Sequence, residues 1–364
     1  MTSMLDTGSS VTWFPCTNHY NCSDCGNIDD DRNSTNFIPE HSTSARVLEC
    51  TSPECQKFHV NNLFCNDCHE SSKPNNCTQL CPYNIGYGIG STSGFFLSET
   101  LHFSDAIQVK DFVVGCSTKA SQMSVGIAGF GRKQIAMPAQ LGAKMFSYCL
   151  VSHKFDDTSK TSQLIMVREG SDGGGYRSND SQSGIVYTPF TRFQTVESYY
   201  YVTVTKITVG LVDIKVPNRY LVPGPDGNGG TIVDSGTTFT VMDDEIFQLV
   251  LAEYENQMGQ YYPRADDLNI DNHANLTCYN VSGSNPGNYP ELNFYFEGGA
   301  KMAVSISDSF DPNPDVVCLT LLSALILGDD QSGPSIILGN FLQQDIYFEY
   351  DLENQRLGFR KQIC

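Results

Sequence analysis

The chain has 364 residues, 41 of them acidic and 22 basic, for a formal net charge of −19. No basic stripe is present to neutralise phosphates, which argues against nucleic acid and anionic membrane as partners. With 40% hydrophobic and 17% charged residues, the chain can bury a core along its length, as two or three domains or as one large two-lobed β protein.

Near the start, Met4-Leu5-Asp6-Thr7-Gly8-Ser9-Ser10 reads as an apolar lead, an Asp and a tight turn. Val11-Thr12-Trp13 then returns to a strand-like pattern. Residues 16 to 81 hold nine of the fourteen cysteines: Cys16, Cys22, Cys25, Cys50, Cys55, Cys65, Cys68, Cys77 and Cys81. The residues between them are polar, so the stretch has too little apolar surface to fold unaided, and disulfides can supply the constraint. Cys22/Cys25 and Cys65/Cys68 also have zinc-ligand spacing, but the long gap between the pairs and the neighbouring cysteines favour oxidation.

Ile85 to Phe96 reads as strand, Gly-rich turn and strand, and Thr100 to Cys116 alternates as short strands. Pro138 to Phe146 is expected to be a short helix with Pro at its start, where no amide donor is needed. Phe146 to Val151 and Gln163 to Val167 read as strands around a polar turn at Asp156 to Ser162. Gly170 to Gly184 is a Ser/Gly/Asp-rich loop. Tyr199 to Gly210 alternates Val202, Val204, Ile207 and Val209 with polar residues, with one slip of phase.

The turn Pro223 to Gly230 feeds Thr231-Ile232-Val233-Asp234-Ser235-Gly236-Thr237-Thr238-Phe239. This segment repeats the order of the first: apolar run, Asp, hydroxyl residue, Gly, hydroxyl residue. Asp243 to Met258 is the best helix, with Asp243 able to cap it and Phe247, Val250, Leu251, Tyr254 and Met258 on one face. From Leu292 to Gly358 strands and turns return, the last stretch running from Ile346 to Phe359. The longest apolar run, Val316 to Leu327, is too short to cross a bilayer, so no membrane span is expected.

One Asp-x-Gly triplet is an ordinary turn; two copies in the same order are not. Peptide hydrolysis without a metal needs a base to activate water and an acid to protonate the departing nitrogen. Two carboxylates sharing one proton fill both roles, because like charges held close cannot both ionise easily. Asp6 and Asp234 are the candidate pair. Other schemes find no support: there is no H-E-x-x-H and no G-x-S-x-G, and Gly88-Ile89-Gly90 precedes no fitting phosphate-binding helix.

Each Asp is followed downstream by an apolar-apolar-Gly segment, Gly126-Ile127-Ala128-Gly129-Phe130-Gly131 and Ile336-Ile337-Leu338-Gly339-Asn340. Between the first Asp and its segment lies Tyr87-Gly88-Ile89-Gly90. In these features the chain resembles the pepsin-like aspartic proteases. Its Cys-rich insert and the Gly-Phe-Gly-Arg at 129–132 are most similar to the plant nepenthesin-type branch.

The resemblance implies an all-β, bilobal fold of two pseudo-symmetric β-barrel-like lobes with the active-site cleft between them. The boundary is expected near Val151, giving an N-terminal lobe 1–150 and a C-terminal lobe 151–364. It also implies an acid endopeptidase that prefers apolar side chains around the cut, acts on protein or peptide substrates as a monomer, and needs no cofactor or metal. Asp6 and Asp234 take the catalytic positions. Gly8 and Gly236 let backbone N–H groups approach the carboxylates, Thr7 and Ser235 form a grip across the lobes, and Ser9 and Thr237 bond the outer carboxylate oxygens. Tyr87 and Gly88 fall on the flap, with Tyr83 as the competing tyrosine, and Trp13 falls where the family bonds the flap tyrosine. Disulfides are implied between Cys278 and Cys318 and between Cys149 and Cys364.

The resemblance further places a signal, a prosegment and first strands ahead of the first Asp loop, and this chain is expected to lack them. Sequons beginning at Asn21, Asn33, Asn76, Asn179, Asn275 and Asn280, together with the cysteines, favour a secreted glycoprotein of the extracellular space or vacuole. The acidic charge suits work in acid and suits solubility equally. The alternative reading is an inactive binding protein on the same fold, similar to the plant xylanase inhibitors; retention of both aspartates and a flap tyrosine favours the enzyme.

Overall fold

Strand is the dominant regular structure of the chain. The computed structural model describes residues 2–25, 36–58, 65, 79–104, 107–123, 125–152, 160–168, 184–191, 198–265, 268–270, 274–283, 289–304, 315–328 and 332–364. The Gly170 to Gly184 loop, most of the Asp156 to Ser162 turn, Cys68, Cys77 and the sequons at Asn33, Asn76 and Asn179 fall outside them, save Gly184 itself. The chain divides into two units, Met1–Gly142 and Ala143–Cys364.

The first unit is built on one eight-stranded sheet. Its strands run in the order Ser3–Asp6, Gly126–Gly129, Trp13–Pro15, Ile107–Ser121, Ser91–Ser104 and Arg46–Val47. Asn21–Ser23 joins Ile107–Ser121, and Pro82–Gly86 joins Ser91–Ser104. The Asp strand lies parallel to Gly126–Gly129, from Ser3↔Gly126 to Asp6↔Gly129, while Trp13 returns antiparallel on the other side at Ile127. The short strands read in Thr100 to Cys116 belong instead to two long ones, paired from Ser91↔Ser121 to Ser104↔Ile107.

Trp13, Leu48, Tyr83, Phe96, Val113, Ile127 and Ile135 form the core beneath this sheet, and the buried Cys50, Cys55, Cys65 and Cys81 complete it. The bridges Cys50–Cys65 and Cys55–Cys81 therefore do two jobs for a polar segment: they close loops and they supply its apolar volume. Cys16–Cys116 ties the end of the Trp13–Pro15 strand to Ile107–Ser121, and Cys22–Cys25 closes the turn after Asn21–Ser23. The sulfurs of Cys22, Cys25 and Cys65 are thus engaged in disulfides.

In the second unit the same three-strand arrangement recurs. Thr231–Val233 lies parallel to Ile336–Leu338, and Thr240–Met242 returns antiparallel to it at Val241↔Ile337. Tyr201–Val202 and Leu321–Ser323 complete that five-stranded sheet. A second sheet runs Ile165–Arg168, Ala143–Cys149, Ile346–Asp351, Arg356–Lys361 and Val186–Pro189. Aromatic rings pack closely on it: Phe146 stacks on Tyr350 at 4.4 Å between centroids, and Tyr200, just before Tyr201–Val202, meets Tyr350 edge-on at 4.7 Å. Cys149–Cys364 and Cys278–Cys318 close this unit. The phase slip after Val204 is a bulge between Val204 and Lys206, which restores the inward facing of Ile207 and Val209.

The helix Asp244–Met258 is capped by Asp243, whose carboxylate accepts the Glu245 N–H. Its buried stripe is Ile246, Val250, Tyr254 and Met258, with Phe247 and Leu251 only half-buried along its flank. The expected helix at Pro138 to Phe146 is a correction. Only Met137–Gln140 is helical; Gly142, at φ 63, ends the turn, and Ala143–Cys149 is strand. Pro gave a true start signal, but Phe146 and Tyr148 alternate into the aromatic core.

Candidate active site

Asp6 ends an edge strand and is 5% exposed. The chain turns back at once, so Gly8 N–H donates to Asp6 Oδ1 at 2.8 Å and the Ser9 hydroxyl donates to Asp6 Oδ2. The threaded segment braces this turn from behind: Phe130 N–H donates to Asp6 O at 2.7 Å and Gly131 N–H to Ser9 O at 2.7 Å. Gly129 N–H donates to Thr12 Oγ1 at 3.1 Å.

Asp234, 9% exposed, has the same surroundings in the second unit. Gly236 N–H donates to its Oδ1 at 2.8 Å and the Thr237 hydroxyl to its Oδ2 at 2.7 Å. Asn340 N–H donates to Thr237 O at 2.7 Å, and Gly339 N–H to Thr240 Oγ1 at 3.1 Å. Each carboxylate therefore has one backbone and one hydroxyl donor, one on each oxygen, which fixes its plane. Thr7 and Ser235, between Asp and Gly, are both buried.

Glycine is required at 129 and 339 by close approach. A β-carbon at Gly129 would lie 2.4 Å from the Ser10 carbonyl carbon, and one at Gly339 would lie 2.3 Å from the Phe239 oxygen. Thr12 and Thr240 were not singled out from the sequence. Their signal was available: each stands six residues after its Asp.

Pro82–Gly86 and Ser91–Ser104 form a hairpin whose turn closes through Tyr87 N–H donating to Gly90 O at 3.0 Å. The Trp13 indole N–H donates to the Tyr87 hydroxyl at 2.9 Å. Burial pushes the Tyr87 hydroxyl well above the usual tyrosine range; the Trp13 bond opposes this, the Asp6 charge adds to it, and a Ser9 bond opposes it. Tyr87 thus stays a neutral hydroxyl in the electrostatic neighbourhood of Asp6. Gly88 and Ile89 are exposed at the hairpin tip. The competing Tyr83 is buried against Phe96, with its hydroxyl on Thr92. So the first unit brings together Asp6, Gly8, Ser9, Trp13 and Tyr87, and the second Asp234, Gly236 and Thr237.

Comparison with known proteins agrees in extent with this arrangement. The family model described as xylanase inhibitor N-terminal matches residues 1–166, and that described as xylanase inhibitor C-terminal matches residues 199–361. The chain is 28% identical to a "Probable aspartyl protease" of Arabidopsis thaliana, over 99% of this chain and 79% of that protein. It is also 28% identical to aspartic proteinase nepenthesin-2 of Nepenthes gracilis, over 100% of this chain and 74% of the relative. Among solved structures, basic 7S globulin from soybean shares the fold with a TM-score of 0.67 at 17% identity, over 99% of this chain and 89% of that one.

Proposed function

The chain belongs to the pepsin-like aspartic protease family, and on that premise we propose that it is an aspartic endopeptidase. One observation carries the reading: both Asp-x-Gly loops are intact, and each carboxylate is held by the same pair of donors. A binding protein has no need to keep two aspartates in matching cradles.

In the proposed reaction Asp6 and Asp234 act as a pair that shares one proton. The charged member takes a proton from water as that water attacks the scissile carbonyl. The protonated member first donates to the carbonyl oxygen, and a proton then passes to the leaving nitrogen as the C–N bond breaks. Tyr87, on the hairpin, positions the peptide, and Gly88 at the tip leaves room for its backbone. The substrate is a protein or peptide with apolar side chains flanking the cut. The enzyme works as a monomer without metal, and is a glycoprotein of the secretory pathway; six disulfides among the described residues agree with that route.

The test is cleavage of a denatured protein mixture against pH, for wild type, Asp6→Asn and Asp234→Asn. Activity should peak in acid and fade towards neutral, where both members of the pair are charged and the general acid is gone. Each Asn variant should fold and lose turnover. Cleavage by either Asn variant, or loss of wild-type activity on chelation, would reject the dyad.

A second reading, an inhibitor-like binding protein, draws on the descriptions of the matched family models and on the globulin fold likeness. Absence of cleavage at every pH, with tight binding to a xylanase, would favour it.

A further inference from the structure

Tyr87 sits in a hairpin whose tip leans on a neighbour that is itself held by a disulfide loop. Beyond Ser121 the long strand Ile107–Ser121 gives way to Gln122, at φ 59, and Met123. Gly90 packs so tightly on this corner that a β-carbon there would lie 2.2 Å from Ser121 O and 3.1 Å from the Met123 side chain. The corner is fixed from its other side. Asn21–Ser23 pairs in parallel with Lys119, Ala120 and Ser121, and Gln122 N–H donates to Ser23 O at 2.8 Å. The Tyr20 hydroxyl donates to Met123 O at 3.0 Å, and Cys22 Sγ lies 3.2 Å from the same oxygen. The Cys22–Cys25 bridge closes this three-residue strand immediately after Ser23, where Asp24 is at φ 55. Tyr20, Cys22, Met123 and Tyr87 all pack on the core that contains Trp13.

We infer that the Cys22–Cys25 loop and Tyr20 are a brace that positions the Tyr87 hairpin through the Ser121–Met123 corner. A three-residue strand is too short to hold its place by pairing alone. Closing it with a covalent bond limits the conformations that compete with the paired one. With the bond opened, Ser23 O and Tyr20 lose their register, the corner relaxes, and the hairpin tip loses the surface on which Gly90 rests. The bonds of Tyr20, Cys22 and Ser23 go to the Ser121–Met123 corner, so they act on placement and not on proton transfer. The consequence for substrate rests on the proposed peptidase reading; the consequence for Tyr87 does not.

Trp13 makes the brace measurable. It is the only tryptophan in the chain, it is fully buried, and its N–H is bonded to Tyr87. The experiment compares wild type with Cys22→Ser/Cys25→Ser, Tyr20→Phe and, as the reference for a lost contact, Tyr87→Phe. Steady-state Trp emission, acrylamide quenching and peptidase kinetics are recorded on each. Both brace variants should move the Trp13 emission towards that of Tyr87→Phe. Their KM should rise about 3- to 10-fold with kcat held within about twofold, because positioning and not chemistry is weakened. If the double serine variant does not fold, Tyr20→Phe, which keeps the ring and removes one bond, decides. Emission identical to wild type in the folded variants, whether or not their melting temperature falls, would overturn the brace. Shifted emission in a chain with no peptidase activity would uphold the brace and overturn the proposed function.

Discussion

Trp13 donates its indole N–H to the hydroxyl of Tyr87 over 2.9 Å, joining a buried core residue to a hairpin 74 positions along the chain. Removing that hydroxyl strands a buried donor. Tyr87→Phe should therefore lower unfolding free energy by about 1–3 kcal/mol, although the ring is kept. Urea unfolding followed by Trp13 emission checks this. The midpoint should fall with an unchanged slope, and equal midpoints would show that the bond contributes nothing.

Gly129→Ala and Gly339→Ala each drive a β-carbon into backbone that forms the Asp loops. Backbone has no rotamer to yield, so each should cost at least about 1–3 kcal/mol and should displace the neighbouring carboxylate. Gly86→Ala is the control, because a β-carbon there meets nothing within 4 Å. Thermal melts of the three variants, with peptide cleavage alongside, give the comparison. A melting temperature for Gly129→Ala as high as that of the control would contradict the close approach.

Glu99 is buried, and burial alone pushes its carboxyl up; hydrogen bonds from Ser44, Ser42 and the Thr100 amide, with the His102 charge, more than reverse this and leave it below the ordinary 4.5. A carboxyl whose folded value is depressed stabilises the fold above its unfolded value, and that contribution is lost as pH falls through the folded one. Glu99→Gln should thus be less stable than wild type near neutral pH, and the difference should shrink as acid is added. Melting temperatures between about pH 2 and about pH 7 test the sign. A constant difference across that window would assign the effect to packing.

Gln343 is fully buried, and its side chain supports the second Asp from behind. Its amide N–H donates at 2.8 Å to Leu338 O, the same oxygen that takes the Asp234 N–H at 3.1 Å. Its own oxygen accepts the Tyr148 hydroxyl at 2.5 Å, and Tyr148 meets the Tyr350 hydroxyl at 2.9 Å. Gln343→Leu keeps the volume and removes both bonds, so a loss of about 1–3 kcal/mol is expected. In the proposed reaction kcat should fall more than KM rises. Unchanged kcat in a folded variant would confine Gln343 to a structural role.

The Asp loops were legible because the chain states them twice, and a repeat carries information that one turn does not. The threonines at 12 and 240 escaped because each looks like an ordinary strand residue until Gly129 and Gly339 are seen donating to them. The resemblance favoured Tyr87 over Tyr83, but the residues themselves gave no physical ground for the choice. The two are four apart on the way into the glycine-rich turn, and the fold sends Tyr83 into the core and brings Tyr87 to Trp13. The helix at Asp243 was found through its cap, but its stripe was centred one residue late, on Phe247 instead of Ile246. Both are large and apolar, and the choice depends on what lies beneath. The segment after Pro138 was misread for a related reason: a strong start signal says nothing about length.

The Cys149–Cys364 bridge sets an order of events. Cys149 ends the strand Ala143–Cys149, which lies inside a sheet and pairs with Ile346–Asp351. Its sulfur partner is 215 residues away. At a synthesis rate of about 5–20 residues per second the strand waits roughly 10–45 s for its neighbour. Throughout that delay Phe146 and Tyr148 have no finished sheet to enter, and the Cys149 thiol is open to capture by any earlier cysteine. The second unit therefore completes only after translation has passed its last strand, and a cell making this chain has to shield one nascent thiol for that long.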